Sequence, residues 1–403
     1  MVEVFHPTGI LKGEVFLPSS KSISNRLLIL KAFHPEIKIG NLSDADDTRV
    51  LVKALEKKFG EINVNHAGST LRFLTAYFAF CEGAEVVLTG SSRLNKRPIK
   101  PLVEALKIAG AKIEYLENEG FAPLKIKGVK SPKSGAIEID ASGSSQFVSA
   151  LLMVALNFKD GLKIYLKGKV VSRPYIQQTI NLLEQIGYRI TWEGNQIEIY
   201  FQSLKKVDFK VEADWSSATF FLGMAINSKQ CKLLLRGLSQ NTIQGDALQV
   251  NIFEHLGVQV NFTELGMQLL KINSSLNLLR EDLTNMPDVA QGLAVAAALK
   301  RVEVHLSGLQ TLPQKESNRI EDLATELRKL KFDVITTNET LSIKGFAQFQ
   351  NELNIKTYND HRMAMAFAIA GLYSKVVFDD ESVVSKSFPD YWNQLKKIGF
   401  NIL

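Results

Sequence analysis

The sequence predicts a mixed α/β (α+β) chain folded as two similar domains, and three observations carry the prediction. Six times a short polar segment leads straight into a nearly apolar helical run. Amphipathic helices, most of them followed by glycine, are interleaved with these runs. Strand-like alternation flanks both kinds of helix. A helix apolar on every face belongs inside a core, whereas one with a single apolar stripe lies on its surface. Sheets and helices mixed in every unit exclude a helical bundle.

The polar starts are Ser19-Ser20-Lys21-Ser22, His66-Ala67-Gly68-Ser69, Ser142-Gly143-Ser144-Ser145, Asp214-Trp215-Ser216-Ser217, Met286-Pro287-Asp288 and Asn359-Asp360-His361-Arg362. Apolar runs follow, among them residues 147–156, 218–226, 289–299 and 363–372. The first N–H groups of a helix lack intrahelical partners and carry the positive end of its dipole. Several such ends aimed at one place make an anion site.

The interleaved helices repeat apolar residues at i, i+3 and i+4. One holds Ile99, Leu102, Val103, Leu106 and Ile108 before Gly110. Residues 48–59 before Gly60, 175–186 before Gly187, 247–256 before Gly257 and 391–398 before Gly399 follow the same plan. Residues 319–330 run into Lys331 instead. Glycine past the last turn suits a left-handed C-cap. Strand signals lie at 86–88, 137–139, 162–166, 198–201, 233–235, 302–306 and 376–378. The unit therefore reads strand, buried helix, strand, outer helix, strand. Six such units of about 67 residues account for the 403-residue chain. Three per half give a first domain over 20–213 and a second over 1–19 plus 214–403.

Hydrophobic and charged contents of 45% and 22% are those of an ordinary globular protein. A net charge of +6 is compatible with a lysine-rich solvated surface or with anionic partners. No dense Lys/Arg stripe is present, so nucleic acid is not the expected partner. Cys81 and Cys231 lack a CxxC partner and companion histidines and read as small hydrophobes, with neither a zinc site nor a disulfide. The start Met1-Val2-Glu3-Val4 lacks the layout of a signal peptide, and no apolar run reaches the ~18 residues that span a bilayer. The expectation is a cytoplasmic monomer with no membrane contact.

The chemistry gathers at the helix starts. Lys21, Ser22 and Arg26 offer an ammonium, a hydroxyl and a guanidinium, the last two on one helix face. By itself this is equally a capped helix with two solvated cations. Ser144, Ser145 and Gln146 are neutral donors suited to phosphate oxygens, or a capping cluster, and Ser172 and Tyr175 read the same way. Gly68 lets backbone approach a ligand, with Arg72 one turn on. Lys315 and Arg319 are spaced to reach one ligand around Glu316. His361 and Arg362 put cations at the start of a buried helix, against its dipole, as if a bound anion offset them. Arg97 and Lys386 are further cations at element starts. Asp288, read as a helix cap, and Glu316, read as half of an ion pair, could instead supply base and acid.

In order along the chain, Leu17-Pro18-Ser19-Ser20-Lys21-Ser22-Ile23-Ser24-Asn25-Arg26, Arg97-Pro98-Ile99, Ser144-Ser145-Gln146-Phe147, Lys315-Glu316-Ser317-Asn318-Arg319, Tyr358-Asn359-Asp360-His361-Arg362-Met363-Ala364-Met365 and Lys386-Ser387-Phe388-Pro389-Asp390-Tyr391 resemble the 5-enolpyruvylshikimate-3-phosphate (EPSP) synthase family. The resemblance implies two domains of three βαβαββ units each, with the buried helices pointing their N-termini at the cleft between them. It implies transfer of the enolpyruvyl group of phosphoenolpyruvate to the 5-hydroxyl of shikimate 3-phosphate, without metal or organic cofactor. By motif position it makes Ser22, Arg26, Ser144, Ser145, Gln146, Ser172, Tyr175, Asp288, Thr311 and Lys315 contacts for shikimate 3-phosphate. Lys21, Gly68, Arg97, Gln146, Arg319, Arg362 and Lys386 become contacts for phosphoenolpyruvate. Asp288 and Glu316 take the acid/base positions, with Lys21 and His361 beside the chemistry.

Some positions depart from the family pattern. Ser19 stands for Gly, His66 for Asn, Ser69 for Thr, Gln314 for an aliphatic residue, Asn318 for Asp, and Thr311 where Asn is frequent. These bear on affinity more than on reaction type. Gly68, rather than Ala, implies room for glyphosate and hence sensitivity. The rival readings are a UDP-N-acetylglucosamine enolpyruvyl transferase, whose reactive loop cysteine Cys81 does not match, an RNA-terminus-processing protein on related repeats, and an inactive anion-binding homologue.

Overall fold

The computed structural model describes residues 1–133 and 135–403. The chain divides into two compact units, Met1–Ser20 with Glu212–Leu403, and Lys21–Val211.

One wiring recurs in both units. Leu278–Asp282, Ala290–Leu299, Glu303–Ser307, Arg319–Lys329, Asp333–Thr336 and Leu341–Lys344 follow in chain order as strand, helix, strand, helix, strand, strand. The first two strands pair parallel, and the last two join antiparallel. A parallel pair needs a crossover, and the apolar helix supplies it. The sheets built on Phe59–Asn63, on Gly135–Asp140 and on Glu352–Ile355 are wired alike. The closing hairpin adds a strand to the unit read from periodicity.

Two repeats exchange their first strands. Ile10–Phe16 precedes the helix Lys21–Phe33 but pairs parallel with Gln230–Arg236. Asp208–Lys210 precedes the helix Trp215–Asn227 but pairs parallel with Lys38–Gly40. Each pairing stays within one unit, so the exchange falls where the chain passes between units, at 20/21 and 211/212. The N-terminal strand Val2–Phe5 fills the sheet of the last repeat, between Lys375–Phe378 and Asn401–Ile402.

The apolar helices form the cores. All residues of Trp215–Asn227 and of Ala290–Leu299 are buried, and the two helices pack against each other. A Cβ on Gly292 would stand 2.6 Å from Thr219 Cγ2, so only glycine lets these helices approach so closely. Ala290–Leu299 also packs on His361–Phe367, which continues as a 3₁₀ turn through Ala368–Leu372. In the other unit Gly68–Ala79 packs on Ser145–Val154, and Lys21–Phe33 touches both. Lys21–Phe33 is not wholly apolar: it buries Ser24, Asn25 and Arg26 beside Ile23, Leu27, Ile29 and Leu30. Most of their polar atoms are partnered, the Asn25 amide nitrogen excepted among the described residues. Ser24 Oγ accepts from Ser43 N, and Asn25 Oδ1 accepts from the Thr48 hydroxyl.

The outer helices end largely as their glycines require. Gly110, Gly187, Gly257 and Gly399 have φ of 91°, 108°, 105° and 103°. Lys331 adopts the same left-handed turn at φ 66° without glycine's freedom. The helix expected over 48–59 is a correction: it spans Asp46–Leu55, and Phe59 and Gly60 lie in the strand Phe59–Asn63 beside Glu85–Thr89. Glu56, Lys57 and Lys58 offer no apolar face to continue the helix, and the parallel pairing captures Phe59. Among the described residues no helix is long and apolar enough to cross a membrane.

Candidate active site

In Lys21–Val211 the first turns of the central helices hold the expected donors. Lys21 opens its helix, and its ammonium meets Asp47 Oδ2 at 3.0 Å. Arg26 is buried among its own chain's oxygens. It donates to Ser22 O, Thr179 Oγ1, Ser149 Oγ and Tyr175 O. Burial brings its guanidinium down to about 10. The Tyr175 amide donates to Ser172 O at the head of the helix Arg173–Gln185, and Ser172 itself sits in a left-handed turn at φ 52°. Gly68 starts its helix under two arginines: a Cβ there would stand 2.6 Å from Arg97 Nη1 and 2.9 Å from Arg72 Nη1. Ser144 caps the helix that begins at Ser145, its Oγ accepting from the Gln146 amide.

In the other unit cations and carboxylates interleave. Arg319, at the head of Arg319–Lys329, spreads its guanidinium over three acids. Its Nε meets Asp360 Oδ2 at 2.7 Å, Nη1 meets Asp288 Oδ1 at 3.0 Å, and Nη2 meets Glu316 Oε2 at 2.9 Å. Arg362 donates to the Asp288 carbonyl and lies 3.1 Å from its Oδ2. Lys315 stands 3.6 Å from Asp288 Oδ1, and Lys386 stands 3.1 Å from Glu316 Oε1. His361 is buried, its Nδ1 3.5 Å from Asp360 Oδ1. The Thr311 hydroxyl is buried without a hydrogen-bond partner among the described residues.

The electrostatics follow from this packing. Burial alone would raise the Asp288 carboxyl, but Arg362, Lys315 and Arg319 outweigh it and hold the group well below the usual carboxylate range. Burial would likewise weaken the Arg319 guanidinium, yet Asp360, Glu316 and Asp288 raise it well above its ordinary value. An ionised carboxylate ringed by cations can take a proton once those cations turn to another anion. Among the described residues no group of three or more His, Cys, Asp or Glu is placed to hold a metal ion.

A model of the family EPSP synthase (3-phosphoshikimate 1-carboxyvinyltransferase) matches residues 58–395. The chain belongs to the EPSP synthase family. A 3-phosphoshikimate 1-carboxyvinyltransferase of Bacteroides fragilis is 43% identical over 397 residues, covering 97% of this chain and 96% of that protein. One from Photobacterium damsela is 35% identical over 426 residues, covering 97% and 98%. A solved structure of EPSP synthase from Acinetobacter baumannii superposes with a TM-score of 0.77 at 21% identity, covering 100% of both chains, which shows the shared fold.

Within this EPSP synthase family member some site residues differ from the sequence expectation. Asp288 is not a helix cap. It lies in the 3₁₀ turn Pro287–Val289 ahead of Ala290–Leu299, where no side-chain cap forms, and its carboxylate is drawn to Arg319, Arg362 and Lys315 instead. The Arg362 cation at the start of its helix is offset from within. Asp360 caps that helix by accepting from the Arg362 amide, and Asp288 pairs with the Arg362 guanidinium. Asp360, Asp47 and Asp246 were missed as partners of the site. An aspartate immediately before a buried helix was the available signal for Asp360. Nothing local marks Asp47 or Asp246, whose partners lie 26 and 30 positions away.

Proposed function

We propose that this chain transfers the enolpyruvyl group of phosphoenolpyruvate to the 5-hydroxyl of shikimate 3-phosphate and releases phosphate. The observation that carries the reading is Arg319 bridging Asp288 and Glu316 inside a ring of Lys315, Arg362 and Lys386. Two carboxylates held a fixed distance apart by one guanidinium supply a proton acceptor and a proton donor to the same reacting centre.

Glu316, in its protonated form, gives a proton to the methylene carbon of phosphoenolpyruvate. Asp288 takes the proton of the 5-hydroxyl as its oxygen bonds to the adjacent carbon. The tetrahedral adduct then expels phosphate, which leaves with the proton held by Asp288, and the methyl group returns a proton to Glu316 as the double bond reforms. Phosphate and carboxylate groups arriving beside Arg319 and Arg362 share those cations with Asp288, and beside Lys386 and Arg319 share them with Glu316, which restores the basicity of both carboxylates when it is needed. By the family resemblance Lys21, Gly68, Arg97 and Gln146 are also assigned to the donor, and His361 to a place beside the chemistry. Ser22, Arg26, Ser144, Ser145, Gln146, Ser172, Tyr175, Thr311 and Lys315 serve shikimate 3-phosphate. The buried Thr311 hydroxyl lacking a protein partner supports its share.

Cys81 weighs against the UDP-N-acetylglucosamine reaction. It lies just beyond the C-terminal end of Gly68–Ala79, the far end of that helix from Gly68, with its thiol 3.8 Å from the Tyr77 hydroxyl. The residues invoked come from one chain, so this reading needs only a monomer, and light scattering checks that state. The deciding assay mixes the protein with phosphoenolpyruvate and either shikimate 3-phosphate or UDP-N-acetylglucosamine. Phosphate release with the first acceptor alone is expected; release only with the second, or with neither, sinks the reading.

A further inference from the structure

We propose that Arg72 is a positioning residue that fixes which end of the Gln146 amide faces the donor, an inference that rests on the proposed reaction. Arg72 Nη1 donates to Gln146 Oε1 at 3.1 Å and to the Gly68 carbonyl at 3.2 Å. Its guanidinium carbon lies 5.5 Å from the Phe147 ring centre, which adds a cation–π contact, and the residue is 5% exposed. Gln146 Nε2 donates to Ser69 Oγ at 2.9 Å, and the Gln146 amide N–H donates to Ser144 Oγ at 3.2 Å.

A guanidinium has donors and no acceptor. Only the oxygen of the Gln146 amide can meet it, so the NH₂ group is forced to the opposite side. One of its hydrogens goes to Ser69, and the other is left for an anionic oxygen arriving in front of Gly68. The terminal torsion of glutamine is otherwise broad and nearly two-fold. Freed from Arg72, the amide turns over at little cost and presents its carbonyl oxygen to the phosphate or carboxylate of the donor. Arg72 thereby makes a neutral, ambivalent side chain into a committed donor. Its Nη1 is spent on that amide and on the Gly68 carbonyl, and the Gln146→Ala background separates action through Gln146 from any direct contact.

A double-mutant cycle on the full chain tests this. Arg72→Gln, which can accept as well as donate, is expected to raise the KM for phosphoenolpyruvate about tenfold while kcat moves less than about threefold. Arg72→Lys, still a donor without an acceptor, is expected to recover most of that loss. In a Gln146→Ala background Arg72→Gln is expected to cost less than about twofold further. Equal losses in both backgrounds, or an unchanged KM in Arg72→Gln, overturn the inference. Thermal midpoints check folding, and if Arg72→Gln shows no cooperative transition the cycle is run with Arg72→Met, which keeps the apolar stem and removes the donor. Phosphate release by the unmodified chain tests the reaction separately. Should that fail, the same cycle is read in the dissociation constant for phosphoenolpyruvate with shikimate 3-phosphate present, and absence of binding by the unmodified chain overturns both.

Discussion

Arg319 and Asp360 stand 41 positions apart in the chain and meet as a buried ion pair, Nε to Oδ2 at 2.7 Å, with 2% and 0% of their side chains exposed. Asp360 also accepts from the Arg362 amide and so caps the helix His361–Phe367. The same carboxylate therefore orients both arginines of the candidate site. Asp360→Asn keeps an acceptor for the cap but takes from the buried Arg319 guanidinium one of its three carboxylates, the only fully buried one. Breaking one partner of a buried pair costs about 3–5 kcal/mol. Urea denaturation is expected to show a loss of that order together with a fall in turnover; a loss under about 1 kcal/mol contradicts the account.

Glu316→Gln removes the proposed proton donor and leaves the volume and the Arg319 contact largely intact. Turnover is expected to drop about 10²–10⁴-fold. Affinity for shikimate 3-phosphate, followed by calorimetry, is expected to change little. Near-normal phosphate release would remove Glu316 from the mechanism.

Asp246 is buried and accepts from the Ser216 hydroxyl. Burial, and then repulsion from Asp288, push its carboxyl up to about 6. An unfolded Asp titrates near about 3.9. The folded state therefore binds the proton more tightly, and the stability this contributes is complete below about pH 4 and is lost as pH rises through about 6. Asn has no proton to lose. Asp246→Asn is expected to gain on the unmodified chain between pH 4 and pH 7.5, by at most about 3 kcal/mol for a shift of roughly two pH units. A stability difference that does not change with pH removes Asp246 as the titrating group.

Gly68 lies under Arg97 and Arg72, with no room for a Cβ unless those guanidinium ends move. Micromolar glyphosate is expected to inhibit the unmodified chain. Gly68→Ala is expected to weaken that inhibition and to raise the KM for phosphoenolpyruvate together, because both small anions need the space before the helix start. Activity that ignores glyphosate in the unmodified chain refutes the first half, and an unaltered KM in the variant refutes the second.

Much of the fold is legible locally. The buried helices announce themselves because a run such as 289–299 has no polar face to turn outward. The outer helices announce their ends through Gly110, Gly187, Gly257 and Gly399, since a left-handed turn is cheap for glycine. Lys331 shows the limit, reaching the same φ with a side chain. Gly60 shows the opposite one: a glycine at the right spacing that belongs to a strand, because pairing with Glu85–Thr89 outweighs helical periodicity.

By itself the sequence determined the α/β class, the recurring unit, the family and the residue types at each helix start, because capping, periodicity and motif spacing act over a few residues. Only the tertiary structure decided the partners. It paired Ile10–Phe16 with Gln230–Arg236 rather than with its own repeat. It turned Asp288 from a cap into the hub of three cations, and it set Asp360 against Arg319. It also aimed the Gln146 amide by way of Arg72. Buried charges and amides in a low-dielectric interior must each find a partner wherever the packing brings one. Those partners stand tens to hundreds of residues away, where local pattern carries no signal.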